Sequence, residues 1–182
     1  MRVIAGTARS INLITPKGFD TRPTTDKYKE TLFNCLQSYV GNCVFVDLFA
    51  GSGAIGIEAL SRGAAKAYFC DNSKEAINCI KENLSKTKLA DKAVVYKEDV
   101  SFFLKNRIKE IPDIIFLDPP FKLHLEKDII PLLVSTDLIG EETIIVVECD
   151  YDSNFDFLDE LNLEIFKEKE YKTNKHVFIC KK

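Results

Sequence analysis

Val46-Asp47-Leu48-Phe49-Ala50-Gly51-Ser52-Gly53-Ala54-Ile55-Gly56 reads as a short apolar strand that runs into a glycine turn and then opens a helix. Gly51 and Gly53 permit a tight turn and let backbone approach a ligand, while Gly56 allows close packing of helix on sheet. A nucleotide site is the first hypothesis, although a glycine turn of no ligand significance shares these features. Asp71 supplies context, because it ends the next strand 20 residues after Gly51, where a carboxylate can accept ribose hydroxyls. Asp47 then discriminates between nucleotides. A dinucleotide sets its pyrophosphate on the helix N-terminus, and a carboxylate just before the turn repels phosphate. S-adenosylmethionine carries adenosine and a cationic sulfonium amino acid but no phosphate, so an acidic first turn favours it. Asp99, after the third strand, is placed to accept from an adenine amine and is equally suited to cap the following helix.

On either side of this stretch short apolar runs alternate with amphipathic segments. Strands are expected at 44–48, 67–70, 93–96, 114–117 and 143–148, with helices at 54–62, 74–86, 100–108 and 123–133. Continuously apolar strands imply burial on both faces, as in a parallel sheet covered by helices. Residues 163–166 and 176–180 are two further strand candidates with no helix between them, an antiparallel hairpin closing the sheet. The expected fold is therefore α/β: a Rossmann-like seven-stranded sheet, mostly parallel, with a C-terminal antiparallel hairpin and helices on both faces. Residues 2–5 and 11–14 flank Gly6 as two short strands of a small N-terminal β-hairpin. A helix is expected from Thr24 or Thr25, either of which can cap it, to Gly41, with Tyr28, Leu32, Phe33, Leu36, Tyr39 and Val40 at helical spacing. This divides the chain into a hairpin extension, residues 1–23, and a main domain, residues 24–182.

At 182 residues, 46% hydrophobic and 29% charged, the chain has the proportions of one globular domain and not of a disordered or low-complexity protein. Its apolar runs fall far short of the roughly 20 residues that span a bilayer, and no secretory leader is visible, so a cytoplasmic location is expected. None of the six cysteines forms a Cys-x-x-Cys pattern and most lie in apolar runs, which suits reduced, buried thiols. Neither His124 nor His176 has a cysteine or carboxylate at ligand spacing, so neither a metal nor a Ser-His-Asp triad is expected. The net charge of -3 is unevenly spread. Residues 1–29 hold six basic side chains against two acidic ones, whereas residues 137–160 hold nine acidic side chains and no basic one. Both patches are open to a reading as plain solvated surface or as a docking face, the basic one for nucleic acid.

The stretch Ile114-Ile115-Phe116-Leu117-Asp118-Pro119-Pro120-Phe121 carries the chemistry. Pro119 holds Asp118 extended, and neither proline offers an N–H to the site. The Asp118 side chain and the Pro119 carbonyl can together accept both hydrogens of an exocyclic amine, with Phe121 stacking on the ring that bears it. The bland reading is a strand-ending Pro-Pro turn with a core phenylalanine.

Asp47-x-Phe49-x-Gly51-x-Gly53, Asp71, Asp99 and Asp118-Pro119-Pro120-Phe121 resemble the motifs of seven-strand S-adenosylmethionine-dependent methyltransferases that modify amino groups. More narrowly, Met1-Arg2-Val3-Ile4-Ala5-Gly6, Arg22-Pro23-Thr24-Thr25-Asp26, Glu30-Thr31-Leu32-Phe33-Asn34 and Glu58-Ala59-Leu60-Ser61-Arg62-Gly63-Ala64 resemble the RsmD family. That resemblance implies methylation of N2 of a guanine in bacterial small-subunit ribosomal RNA. It implies Asp118, Pro119, Pro120 and Phe121 as catalytic residues, and Asp47, Phe49, Ala50, Gly51, Ser52, Gly53, Asp71, Asn72, Asp99, Val100 and Asp118 around the cofactor. Arg2, Arg9, Arg22, Thr24, Thr25 and Lys27 would face the RNA of a small-subunit particle, with the enzyme acting as a monomer. The chain departs from the family pattern at Ser10-Ile11-Asn12 and at Lys172. Three rivals share parts of the pattern: a DNA adenine-N6 methyltransferase, which usually needs a recognition region not visible here; a glutamine-modifying methyltransferase, expected to carry asparagine in place of Asp118; and a noncatalytic RNA-binding assembly factor.

Overall fold

A computed structural model describes residues 1–16, 26–120 and 123–182. Seven strands form one sheet: β1 Val44–Leu48, β2 Lys66–Asp71, β3 Ala93–Lys97, β4 Ile114–Leu117, β5 Ile144–Cys149, β6 Leu163–Glu170 and β7 Lys175–Lys181. Their order is β3-β2-β1-β4-β5-β7-β6. The pairs among β1 to β5 are parallel, and β7 runs antiparallel between β5 and β6. The expected architecture is thus found, with the strand order reversing between β1 and β4, where open α/β sheets leave a crevice for ligands.

Alternation along the strands divides the interior into two layers. Phe45, Phe69, Phe116 and Phe178 pack with α1 (Asp26–Cys35), α2 (Ala54–Ser61) and α3 (Lys74–Thr87). Val46, Leu48, Ile115, Val147 and Val177 pack with α4 (Val100–Asn106) and α5 (Glu126–Ser135). Among the described residues no helix is long and apolar enough to cross a membrane. All six cysteines are free thiols, four of them buried, and burial pushes the Cys43 thiol up to about 12.

The N-terminal residues are fastened to this body through α2. Glu58, fully buried, accepts the amides of Ile4 at 2.8 Å and Ala5 at 3.0 Å and pairs with Lys29 at 3.2 Å and Arg62 at 2.8 Å. Lys29 also donates to the Arg2 carbonyl at 2.5 Å, and Val3, Ala8 and Leu13 join the core under α1 and α2. Gly6 passes so close to α2 that a Cβ there would stand 1.7 Å from the Ser61 carbonyl oxygen, at a φ of +81°.

Three expectations need correction. The two N-terminal strands reduce to a single bridge, Arg2 opposite Asn12, because Glu58 takes up the amides of Ile4 and Ala5 and Asn83 that of Ile14, which a longer ladder would use. The helix expected to reach Gly41 ends at Cys35; one turn closed by the Val40 amide on the Leu36 carbonyl keeps Leu36 and Val40 buried while leaving Tyr39 48% exposed. The helix expected from 123 starts at Glu126, since His124 has a φ of +47° and cannot belong to a right-handed helix. Thr24 and Thr25, the expected caps, lie outside the described residues.

Candidate active site

The C-terminal ends of β1, β2 and β4 bring the candidate residues together. After β1 the chain turns left-handed at Phe49, Gly51 and Gly53, with φ values of +61°, +54° and +74°. The turn is closed by the Gly53 amide on the Ala50 carbonyl at 2.7 Å, and the Ala50 amide donates to the Cys70 carbonyl of β2 at 3.0 Å. The Ser52 carbonyl accepts from the Asn83 side chain of α3 at 2.9 Å. Gly56 allows the close approach expected of it: a Cβ there would meet the Phe69 ring at 2.4 Å.

Asp47 lies under the turn at 2% exposure and accepts the Gly56 amide at 2.8 Å. Burial pushes its carboxyl up to about 8, against the pull of the Gly56 N–H and with Asp71 adding to the rise. Asp71, half-buried at the end of β2, accepts the Gly51 amide at 2.8 Å and the Ser73 amide at 2.8 Å, so it organises the turn from the side. Asn72 beside it is exposed. Asp99 is exposed and caps α4, accepting the amides of Ser101 at 2.9 Å and Phe102 at 3.2 Å, so the capping role open to it is realised. Val100 is buried in the layer under α4.

Asp118 follows β4 directly, half-buried, and Pro119 is buried behind it. Burial, then Glu148, then Asp47 drive the Asp118 carboxyl well above the ordinary range. Pro120 is exposed, with its carbonyl accepting the Leu123 amide at 3.0 Å. Phe121 lies outside the described residues, as do Arg22, Thr24 and Thr25. Arg2, Arg9 and Lys27 are exposed on the N-terminal side of the molecule. Arg2 is tied to Asp26 at 3.0 Å, while Arg9 lines a groove of about 550 Å³ with Asn34, Gln37 and Arg62.

Sequence reasoning missed Glu148 and His176. The histidine was expected to have no carboxylate near it, yet β5 and β7 pair Glu148 with His176 across the sheet, their side chains 3.2 Å apart. The partners are 28 residues apart in sequence, and only the strand register brings them together.

Asp47, Asp71 and Asp118 enter no ion pair among the described residues. A sheet end that offers carboxyl groups has acceptors for the amino and hydroxyl groups of a nucleoside.

The family described as conserved hypothetical protein 95 matches residues 1–180. YlbH of Bacillus subtilis is 41% identical over 152 residues, 82% of this chain and 83% of its own length. Ribosomal RNA small subunit methyltransferase D of Haemophilus influenzae is 36% identical over 154 residues, 84% of this chain and 80% of its own. The solved structure of yhhF from Escherichia coli superposes with a TM-score of 0.85 at 32% identity, covering 100% of this chain and 98% of that one.

Proposed function

This chain belongs to the RsmD family, matched through conserved hypothetical protein 95, and on that premise we propose that it transfers a methyl group from S-adenosylmethionine to small-subunit ribosomal RNA, at the exocyclic N2 amine of a guanine. When bound, S-adenosylmethionine supplies an electrophilic methyl on a positively charged sulfur. Asp47, Phe49, Ala50, Gly51, Ser52, Gly53, Asp71 and Asn72 would hold it, with Asp99 and Val100 at the adenine side. The observation that carries this reading is the carboxyl-lined sheet end, in which Asp118 and Pro119 stand across the β1/β4 switch point from the glycine turn.

The guanine amine is a weak nucleophile because its lone pair is delocalised into the ring. Acceptance of its two hydrogens by the Asp118 carboxylate and the Pro119 carbonyl favours a pyramidal nitrogen, and alignment with the methyl supplies proximity. The methylated amine is strongly acidic, and in this reading Asp118 takes its proton. The target base must be unpaired or flipped out to reach this end of the sheet. Arg9 and Lys27, with Arg22, Thr24 and Thr25, are the RNA-facing residues of this reading, and the N-terminal segment is its docking extension. A small basic patch on a chain of net charge -3 favours a structured particle over naked RNA.

The test is transfer of labelled methyl to small-subunit particles from cells lacking the protein, followed by mass spectrometry of the nucleosides. N2-methylguanosine is expected. Asp118→Ala is expected to lower turnover by at least about 100-fold with cofactor affinity retained, the scale of losing one preorganised polar contact. Label in adenine, in DNA or in protein, or near-normal turnover of the variant, would overturn the reading.

A further inference from the structure

Glu148, one residue before the end of β5, stands opposite His176 of β7, and both side chains lie on the sheet face that carries Asp47, Phe116 and Asp118. His176 is fully buried and Glu148 is 6% exposed. His176 Nε2 stands 3.2 Å from Glu148 Oε2, and its Nδ1 stands 2.8 Å from the hydroxyl of Tyr171. Asn174 donates its amide to the other Glu148 oxygen at 2.6 Å, which fixes the amide orientation and leaves Asn174 Oδ1 buried without a partner among the described residues. The rings of Phe116 and Tyr171 meet the imidazole edge-on, at 6.1 Å and 4.9 Å. A carboxylate this deep in the protein needs a positive partner to keep its charge, and His176 is the only side chain in an ion pair with it among the described residues.

We propose that His176 is a positioning residue for methyl transfer: it carries a proton against Glu148 and so supplies the counter-charge that lets Asp118, the next carboxylate along the same sheet edge, stay ionised while it accepts the amine. This rests on Asp118 as the amine acceptor. With a neutral imidazole, Asp118 and Glu148 would set two carboxylates side by side at one water-poor end of the sheet, and like charges at such a site suppress one another. Glu148 already follows burial as the second cause that holds the Asp118 carboxyl up. Among the described residues Asp118 from β4 acts with Glu148 and Tyr171 from the β6–β7 turn meets His176, while Asp47 from β1 acts on Asp118 and Tyr28 and Cys35 of α1 act on Tyr171. Burial first, then Cys35, Glu148 and Tyr28, raise the Tyr171 phenol, so it serves His176 as a neutral hydrogen-bond partner.

The experiment is the pH–rate profile of methyl transfer to small-subunit particles for the wild type, His176→Gln, Glu148→Gln and the double variant, beside an NMR titration of the His176 imidazole in the free protein. His176→Gln is expected to move the acid limb up by about one pH unit, a roughly 10-fold loss on that limb that recovers at higher pH. Glu148→Gln keeps an acceptor for Asn174 but removes the charge, and is expected to move the limb down; the double variant should follow it. The imidazole should be cationic at neutral pH. A merely structural role would lower the rate of both single variants at every pH without moving the limb, and that result, or a neutral imidazole, overturns the proposal. Should His176→Gln fail to fold, the direction of the Glu148→Gln shift and the imidazole titration still decide it. Absence of any methyl transfer by the wild type would refute the functional reading instead, while the imidazole titration would still report the charge of the pair.

Discussion

Replacing Asp47 by asparagine tests whether the candidate site is built at the expense of the fold. Asp47 is buried, accepts one amide from Gly56, and holds its proton up to about pH 8 against an ordinary 3.8. A carboxyl group whose folded pKa is raised contributes its stability fully below the unfolded value and loses it as pH rises towards the folded one, here from 3.8 to about 8. Each unit in that window is worth about 1.4 kcal/mol, so at pH 7 the ceiling on the loss is about 4 kcal/mol. Asp47→Asn removes the titration and keeps an oxygen for Gly56, but a buried NH2 left without an acceptor costs about 1–3 kcal/mol. The ligand-free variant should therefore be about 1–3 kcal/mol more stable than the wild type at pH 7, with a Tm higher by roughly 2–10 °C. The advantage should shrink as pH falls and vanish or reverse near pH 4. Urea unfolding from pH 4 to 8 reads this directly, and calorimetric titration should show S-adenosylmethionine bound about 10-fold more weakly, the scale of one hydrogen bond. A variant less stable than the wild type at pH 7 and pH 4 alike would show that Asp47 is an ionised cap of α2, and unchanged affinity would remove it from the cofactor.

Glu58→Gln leaves the Lys29 ammonium buried without its carboxylate partner, and should cost up to about 3–5 kcal/mol in urea unfolding. Burial already lowers the Lys29 pKa, so loss of its proton offers a partial escape, and adding Lys29→Met should recover most of the loss; a cost below about 1 kcal/mol would deny the anchor its role. For RNA docking, Arg9→Gln should flatten the dependence of log affinity on log salt by about 0.7–0.9, whereas Arg2→Gln should do less because Asp26 already engages that guanidinium. Equal slopes for the wild type and the Arg9 variant would return Arg9 to plain solvated surface.

The parallel core was legible because its strands are apolar on both faces and its helices are amphipathic, so period and length pointed the same way. The glycine turn was legible because its conformation belongs to a few adjacent residues. β6 was read as four residues and runs to Glu170, since Lys167-Glu168-Lys169-Glu170 has no apolar alternation; it pairs with β7 on one side and is otherwise exposed. Charged side chains on such an outer strand discourage further pairing, which is a property of the sheet and not of the segment. The same limit hid Glu148 with His176 and Glu58 with Ile4 and Ala5: each depends on contacts between residues far apart in sequence.

β7 lies inside the sheet, between β5 and β6, although it is synthesised after both. During translation β1 to β6 therefore emerge while the β5 edge still lacks its antiparallel neighbour, and Glu148 has met neither Asn174 nor His176. The glycine turn, Asp47 and Asp118 can be in place on a nascent chain, but the sheet edge that supports them closes only when the last strand threads into its slot. A protein built in this order completes the support of its candidate site only after β7 has emerged from the ribosome.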